Sequence, residues 1–464
     1  MNTTSQQQPV FGRTSLQELL QHRANGFQFT KGFHIYCELR PTSKLELAET
    51  DAAALKYIRV IEEFVNYGVD AASPFKMALL ELQENVLHFY KEAELTIDSA
   101  IEAIQFVYVF TTTLYEELKP DLEEGWEGFA SCMDHGPAIL IRHQSLGNSS
   151  TVSLGPCANR PAKQLLYGKT PAGCVDIPSS WAKLLGVFAQ GNWFTIDLRD
   201  RQKMPFGNRM ENLVLRNQLI ERIRAFRRDK NRQRVSAILA SNKIIGSGIQ
   251  ADLDGFSSII KQSFDTGRAD AIESVAMGFA QVLEFGDYMR NSTPGSYGLP
   301  WAGDRAPTIV PKNVWLDFAM RWQNFAGETS EGKKRGWGNL FKNVGWAIGG
   351  CHGATGTNII CSIGAQGRSF VIATGWPMVV SLDAQNLGKS GDIITHNLDY
   401  AQLDSATKRL FSKVDTDFWK TTALTSEKIK SSAIELGKAK PVEATHYSSQ
   451  YSSITVPPSK PHHK

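Results

Sequence analysis

Several features that would set a chain apart are missing from these 464 residues. There is no long apolar run. The most hydrophobic stretch, Ile101 to Tyr115, covers 15 residues and includes Glu102 and Gln105, too short and too mixed to cross a bilayer. The opening MNTTSQQQPVFGR has no basic segment followed by an apolar one, so it does not read as a secretory leader. Six cysteines (Cys37, Cys132, Cys157, Cys174, Cys351, Cys361) show no C-x-x-C spacing, which argues against structural zinc and against a disulfide framework. Nor is there a large charge of one sign: the net value is +3, which announces no nucleic-acid partner. The expectation is a soluble, cytoplasmic protein with reduced thiols. Its hydrophobic share of 42% is that of a globular chain, and its length suits two domains of roughly 200 residues.

What the sequence does contain is a repeat. Gly128-Phe129-Ala130, leading to His135-Gly136, returns as Gly345-Trp346-Ala347 leading to His352-Gly353, an offset of 353 − 136 = 217. Upstream, Tyr36-Cys37-Glu38-Leu39 is matched by Gln250-Ala251-Asp252-Leu253, with 252 − 38 = 214. Two matches at nearly one offset indicate duplication of a whole domain. Within each copy, apolar strand segments such as Asn85 to Tyr90 and Ala138 to Ile141 alternate with helical runs such as Leu95 to Leu118. That order predicts an α+β architecture with a split βαβ, ferredoxin-like sheet. The expected division is an N-terminal extension at 1–30, a first domain at 31–205, a connector helix at 206–245, a second domain at 246–435 and a tail at 436–464. The connector is basic from Arg222 to Arg234, with no aromatic residues interleaved after Phe226, and reads as a solvated helix rather than a nucleic-acid binder. The Ser- and Pro-rich tail reads as disordered.

Two carboxylates stand out. Asp252-Leu253-Asp254-Gly255-Phe256-Ser257 puts an acid at the end of an apolar strand, then a glycine turn, then a helix start. The free N–H groups of such a helix end suit phosphate oxygens, and the adjacent acid suits a hard divalent cation. Leu299-Pro300-Trp301-Ala302-Gly303-Asp304-Arg305 would present Asp304 at a hairpin tip. Two aspartates on adjacent strands could clamp two metals about 4 Å apart, the arrangement that serves phosphoryl transfer.

Asp252 to Ser257 resembles the first metal motif of the class III nucleotidyl cyclases, and Gly303-Asp304 resembles the second. The resemblance covers both repeats. It implies two tandem cyclase domains paired as an intramolecular pseudo-heterodimer, with the site at their interface. In this family one domain supplies the metal aspartates; its partner supplies an Asn for the ribose and, four residues on, a cation for the transferring phosphoryl group. Asn159 and Lys163 of the first repeat have that spacing, which places both on one helix face. The family usually carries Arg at the second position. In the second repeat the matching positions read as Ser381 and Gln385, whereas the first repeat has Glu38 and Asn85 where the second has Asp252 and Asp304. Each copy thus retains the half-site that the other has lost.

The resemblance implies metal ligation by Asp252, Asp304 and the Leu253 carbonyl, with two Mn²⁺ or Mg²⁺ ions as cofactors. It implies phosphate contacts from Asp254, Gly255, Phe256 and Ser257, and catalytic roles for Asn159 and Lys163. The adenine-selecting acid of the family falls at Val152, and the segment Asn159-Arg160-Pro161-Ala162-Lys163-Gln164-Leu165 is similar to the bacterial pyrimidine cyclases of anti-phage signalling. The implied reaction is conversion of CTP, ahead of UTP, to a 3′,5′-cyclic monophosphate and pyrophosphate, the product activating a separate effector protein in antiviral defence. A purine cyclase and a catalytically dead nucleotide-binding pseudo-cyclase are the alternatives. No nucleic-acid or membrane partner is expected, and one chain carrying both half-sites is expected to work as a monomer.

Overall fold

The computed structural model describes residues 27–122, 125–145, 148–200, 213–228, 243–328, 345–351, 356–365 and 368–422. The first copy is built on β1 (Phe27–Pro41), β2 (Ala78–Gln83), β3 (Val86–Glu92), β4 (Trp126–Ser145), β5 (Asn148–Leu154), β6 (Cys174–Pro178) and β7 (Trp193–Asp197). The sheet order is β2-β3-β1-β4-β6-β7, with β5 paired to β4. Helices α1 (Lys44–Ala48) and α2 (Asp51–Ala72) join β1 to β2, and α3 (Ile97–Leu122) joins β3 to β4. The result is the split βαβ arrangement expected from the order of elements. It continues with α4 (Pro156–Leu166), α5 (Ser179–Leu184) and α6 (Leu213–Arg228).

Local chemistry sets the helix ends. The Thr50 side chain accepts the Ala53 N–H at 3.1 Å and opens α2, which Pro74 follows closely at its far end. Thr96 and Ser99 cap α3 reciprocally: each backbone N–H donates to the other's hydroxyl, at 2.8 and 3.1 Å. Along α3, Ile104, Val107, Phe110, Leu114 and Leu118 recur at helical spacing and are buried against β1, β3 and α2.

The second copy has β8 (Lys243–Ile245), β9 (Ser247–Asp254), β10 (Tyr297–Gly298), β11 (Arg305–Val310), β12 (Gly345–Cys351), β13 (Thr357–Ala365), β14 (Arg368–Thr374), β15 (Asp392–His396), β16 (Ser412–Lys413) and β17 (Phe418–Thr422). Its main sheet runs β10-β11-β9-β12-β15-β17-β16, and β14-β13-β8 form a separate three-stranded sheet. The helices are α7 (Phe256–Asp265), α8 (Ala269–Asn291), α9 (Trp315–Glu328), α10 (Trp376–Asn386), α11 (Asn397–Tyr400) and α12 (Ser405–Lys408). The long strands β1 and β4 of the first copy thus answer to the pairs β8/β9 and β12/β13 in the second.

The two copies exchange arms. Ile139, Ile141, Val152 and Leu154 from the β4–β5 hairpin are buried in the second copy's core, beside Phe285, Trp322 and Trp346. Reciprocally, Ile359, Cys361, Ile363, Phe370 and Ile372 from β13–β14 are buried in the first copy's core. At roughly 1.5–3 kcal/mol for each large aliphatic side chain taken out of water, these arms hold the copies together as one body. The hydrophobic cores therefore cross the sequence division at 31–205 and 246–435.

The connector helix α6 is not solvated on all sides. Leu219 and Ile223 are buried in the first core, and the Tyr67 hydroxyl donates to the Ile223 carbonyl at 3.2 Å. Its arginines meet acids on α2 and α3: Arg222 with Asp70 at 2.9 Å, Arg224 with Glu117 at 3.3 Å, and Arg216 with Glu116. The acidic faces of two neighbouring helices thus engage Arg222 and Arg224 of the basic run, whose residues 229–234 lie outside the described residues. Residues 436–464 lie outside the described residues, as does most of 1–30. Among the described residues no helix is long and apolar enough to cross a membrane. Five of the six cysteines are free and buried, and Cys351 is the sixth.

Candidate active site

Asp252 lies near the end of β9, half-buried, and Gly255 turns the chain into α7. Gly255 adopts φ 86°, a left-handed conformation that glycine takes without strain, and no side chain caps the helix that follows. The first N–H groups of α7 are thereby left for an anion. Phe256 anchors the turn in the second core, stacked on Phe279 with ring centroids 5.0 Å apart. The Asp254 carboxylate accepts the Ser390 N–H at 3.0 Å, so this residue presents its backbone rather than its acid. Ser257 is half-buried in the first turn.

Strand register brings the second acid beside the first. Asp252 pairs with Arg305 on β11 and with Ala347 on β12, and Asp304 directly precedes Arg305 at the hairpin tip. Glu38 occupies the same place in the first copy, paired with Val86 on β3 and Ala130 on β4. Asn85 therefore stands where the second copy has Asp304. The two places differ in chemistry. Around Glu38, Arg40 ion-pairs at 2.6 Å, and the Asn85 amide donates to Glu38 Oε1 at 3.4 Å and to the Leu39 carbonyl at 2.9 Å. That acid is already neutralised and the carbonyl already occupied. Among the described residues neither Asp252 nor Asp304 forms an ion pair. Burial raises the Asp252 carboxyl, while Arg305 and Lys163 pull it down. Burial, then the charge of Asp252, pushes Asp304 up to about 8.

Two adjacent half-buried carboxyls with no ion-paired cation make a site that a divalent cation would complete, so the residues fit a metal. Among the described residues no group of three or more His, Cys, Asp and Glu side chains is placed to hold one. The remaining ligands would have to be backbone and substrate oxygens. Because Asp304 holds its proton to about pH 8, Mn²⁺ uptake should release a proton and tighten as pH rises from 6.5 to 8.5. Without metal the sign of the stability change is the reverse. A carboxyl whose folded value lies above its unfolded one loses stability as pH climbs between the two, from about 4 to about 8. Calorimetric metal titrations in buffers of different ionisation enthalpy check this, and uptake with no proton release would contradict it.

The partner half-site comes from the first copy. Asn159 and Lys163 lie one turn apart on α4, and α4 packs against α7. Lys163 is exposed, and its ammonium lies within electrostatic reach of both Asp252 and Asp304, lowering the pKa of each. One seam thus brings together the acids of the later half and the cation of the earlier half. Arg160 instead points to Asp134 of its own copy, 2.6 Å away.

The second seam corrects one match. Leu154 pairs with Ile139 and Thr374 with Ile359, and Gly155 and Gly375 each start the next helix, so the offset is 374 − 154 = 220. Asn159 and Lys163 therefore correspond to Val379 and Asp383, not to Ser381 and Gln385. Gln385 instead donates to Asp252 at 3.4 Å within its own copy. Asp383 faces Lys44 and Glu84 of the first copy. Where one seam sets a lysine against two aspartates, the other sets an aspartate against a lysine and a glutamate. A cleft partly open to solvent lies on this second seam and is lined by Lys44, Glu84, Gln250, Arg305 and Met378 among others. It lacks the paired acids and is not where we place the chemistry.

A buried polar cluster beside Gly303 has no counterpart in the sequence reading. Glu81, 5% exposed, accepts the Gly303 N–H across the seam at 3.4 Å, and its other oxygen lies 3.9 Å from His88 Nδ1. His34 Nδ1 and His88 Nε2 are 3.0 Å apart, and Tyr36 stacks on His88. Burial pushes His88 down to about 3, so it is neutral at physiological pH. The signal was the alternation His34, Tyr36, Glu38, which puts three polar groups on one face of β1. His135 is structural: its Nε2 meets the Ala93 carbonyl at 2.9 Å. Trp301 is core, with Arg290 over its ring at 5.3 Å. His352 lies outside the described residues.

No protein-family model and no curated protein matches the chain. Among solved structures, a class III adenylyl cyclase-like ATP-binding protein from Pseudomonas aeruginosa matches with a TM-score of 0.63 at 14% identity, over 88% of this chain and 91% of that one. The guanylyl cyclase Cya2 (TM-score 0.29, 13% identity, 35% of this chain, 80% of that one) and the adenylyl cyclase CyaB from P. aeruginosa (0.28, 12%, 35%, 83%) match over about a third of it. Taken with the strand orders above, the first likeness, which runs through both copies, establishes that this chain has the class III cyclase-like fold.

Proposed function

We propose that the chain is a nucleotidyl cyclase that converts a pyrimidine nucleoside triphosphate, CTP ahead of UTP, to its 3′,5′-cyclic monophosphate and pyrophosphate. The observation that carries this reading is the meeting of Asp252 and Asp304 with Lys163 across one seam. Two Mn²⁺ or Mg²⁺ ions, held by Asp252, Asp304 and the Leu253 carbonyl, would when bound acidify the ribose 3′-hydroxyl and neutralise the leaving pyrophosphate. The amides of Asp254, Gly255 and Phe256, with the Ser257 hydroxyl, hold the β- and γ-phosphates at the start of α7. Asn159 orients the ribose. Lys163, one turn further along α4, offsets the charge that grows on the α-phosphate oxygens as the 3′-oxygen bonds to phosphorus and the bond to pyrophosphate breaks.

For the base, Glu81 is the informative group. A buried carboxylate accepts hydrogen bonds, which suits the N4 amino group of cytosine and disfavours the carbonyl-flanked edge of uracil. Val152 is buried in the second copy's core and presents no acid to a base. The N6 amino group of adenine and the N–H edge of guanine would also satisfy Glu81, which keeps both purine alternatives in the test. The cyclic pyrimidine would serve as a second messenger read by a separate effector in antiviral defence. One chain holds both half-sites, so a monomer suffices.

Incubation with each of the four triphosphates and Mn²⁺ should give cyclic CMP fastest, ahead of UTP by at least about tenfold, with Glu81→Gln narrowing that margin. Preference for GTP or ATP would move the assignment to a purine cyclase. Binding without pyrophosphate release would support a non-catalytic nucleotide binder, a reading favoured by the similar protein being described as ATP-binding.

A further inference from the structure

The β2–β3 turn carries a residue that its backbone does not favour. Glu84 sits at φ 54°, in the left-handed region, and the register that equates Asn85 with Asp304 equates Glu84 with Gly303, at φ 64°. The second copy meets the same turn with the residue that adopts it freely; the first keeps a side chain there at the expense of strain. The side chain is engaged at both oxygens. Lys44 Nζ lies 2.9 Å from Oε2, and Arg305 Nη2, from the other copy, lies 3.0 Å from Oε1. Burial would raise the Glu84 carboxyl, but Lys44 and Arg305 outweigh it and hold it at about 2.

Arg305 gives this clamp its reach. It follows Asp304 in the chain and faces Asp252 in the ladder. Its side chain is 13% exposed, and its charge is felt by both acids, yet its ion pair is with Glu84. A guanidinium fork fits a carboxylate as well as a metal does, and a mostly buried one without a partner would turn to the nearest acids. Resting on the metal-site reading above, we propose that Glu84 is a positioning residue: it holds the Arg305 guanidinium away from Asp252 and Asp304, so that the two acids stay open to cations. The first copy, whose own metal positions are closed, thereby keeps those of the second copy available.

The test is Mn²⁺ binding to the nucleotide-free full chain, followed by equilibrium dialysis, with the cyclase assay run in parallel. Glu84→Gln should raise the Mn²⁺ concentration for half-saturation by about tenfold or more, the size of one charge-assisted contact. Adding Arg305→Gln to that variant should return it to the wild-type value or below. Glu84→Gly relieves the turn but leaves Arg305 unheld, so it should match Glu84→Gln in metal binding while melting no lower than that variant. A purely structural role would lower the melting temperature of Glu84→Gln without moving its Mn²⁺ midpoint, and would give no rescue. An unchanged midpoint, a failed rescue, or a wild-type chain that binds no Mn²⁺ overturns the proposal. A wild-type chain that binds Mn²⁺ but turns over no triphosphate overturns the cyclase reading instead, and the binding comparison still decides the role of Glu84.

Discussion

Asp252→Asn should abolish cyclase activity, lowering kcat/KM by at least about 10³-fold, beyond the 10² to 10³ that loss of one electrostatic donor costs. Asp252 would ligate both cations, so its loss removes activation of the 3′-hydroxyl and neutralisation of pyrophosphate together. The fold should not suffer. Asn has the same shape, and its side-chain oxygen can accept the Gln385 amide as the acid does at 3.4 Å. It also removes the charge of Asp252 that, after burial, raises the Asp304 carboxyl. The melting temperature of the metal-free variant should therefore equal or exceed that of the wild type at pH 8. Activity near the wild-type level would end the metal assignment. A drop in activity accompanied by a collapsed melting temperature would assign Asp252 to the fold instead.

Lys163→Met should lower kcat by about 10² to 10³ while changing KM much less, because the charge it meets develops only in the transition state. The contrast in burial supports this. Lys163 is exposed on α4 and the acids it faces are half-buried, so removing its charge leaves no cavity and no unpaired partner in the core. Lys163→Arg keeps the cation and adds a fork able to hold two oxygens, and it should retain or raise kcat. An equal loss in kcat/KM for Met and Arg, or a loss confined to KM, would remove Lys163 from the chemistry. Either result would leave Asp252 and Asp304 as metal ligands without an electrostatic partner from the first copy.

How much of this was legible depends on the distance in sequence over which each feature is encoded. The Asp252 turn was legible because strand end, Gly255 and helix start are consecutive, and a left-handed glycine before an apolar anchor is a local signal. The hairpin placing Asp304 was legible for the same reason. The match of Lys163 to Gln385 was not correct, since helical positions four apart look alike in any frame. Only the pairing of β13 with β14 and the Gly375 helix start set the frame, pointing to Asp383. The start of the basic run read as solvated because the acids that Arg222 and Arg224 meet, Asp70 and Glu117, lie more than a hundred residues away.

By itself the sequence determined that there are two copies, from matches at one offset, that strands alternate with helices within each, and which acids end the strands, from patterns within a few residues. It could show that Ile139, Ile141, Val152 and Leu154 have a buried face, since alternation marks the face. It could not show that the other copy's helices cover that face, because burial is blind to which partner excludes the water. The tertiary structure alone decided that Glu81 reaches Gly303 and that Glu84 keeps hold of Arg305. Those contacts follow from how the two copies pack against each other, and no spacing within either half encodes that geometry.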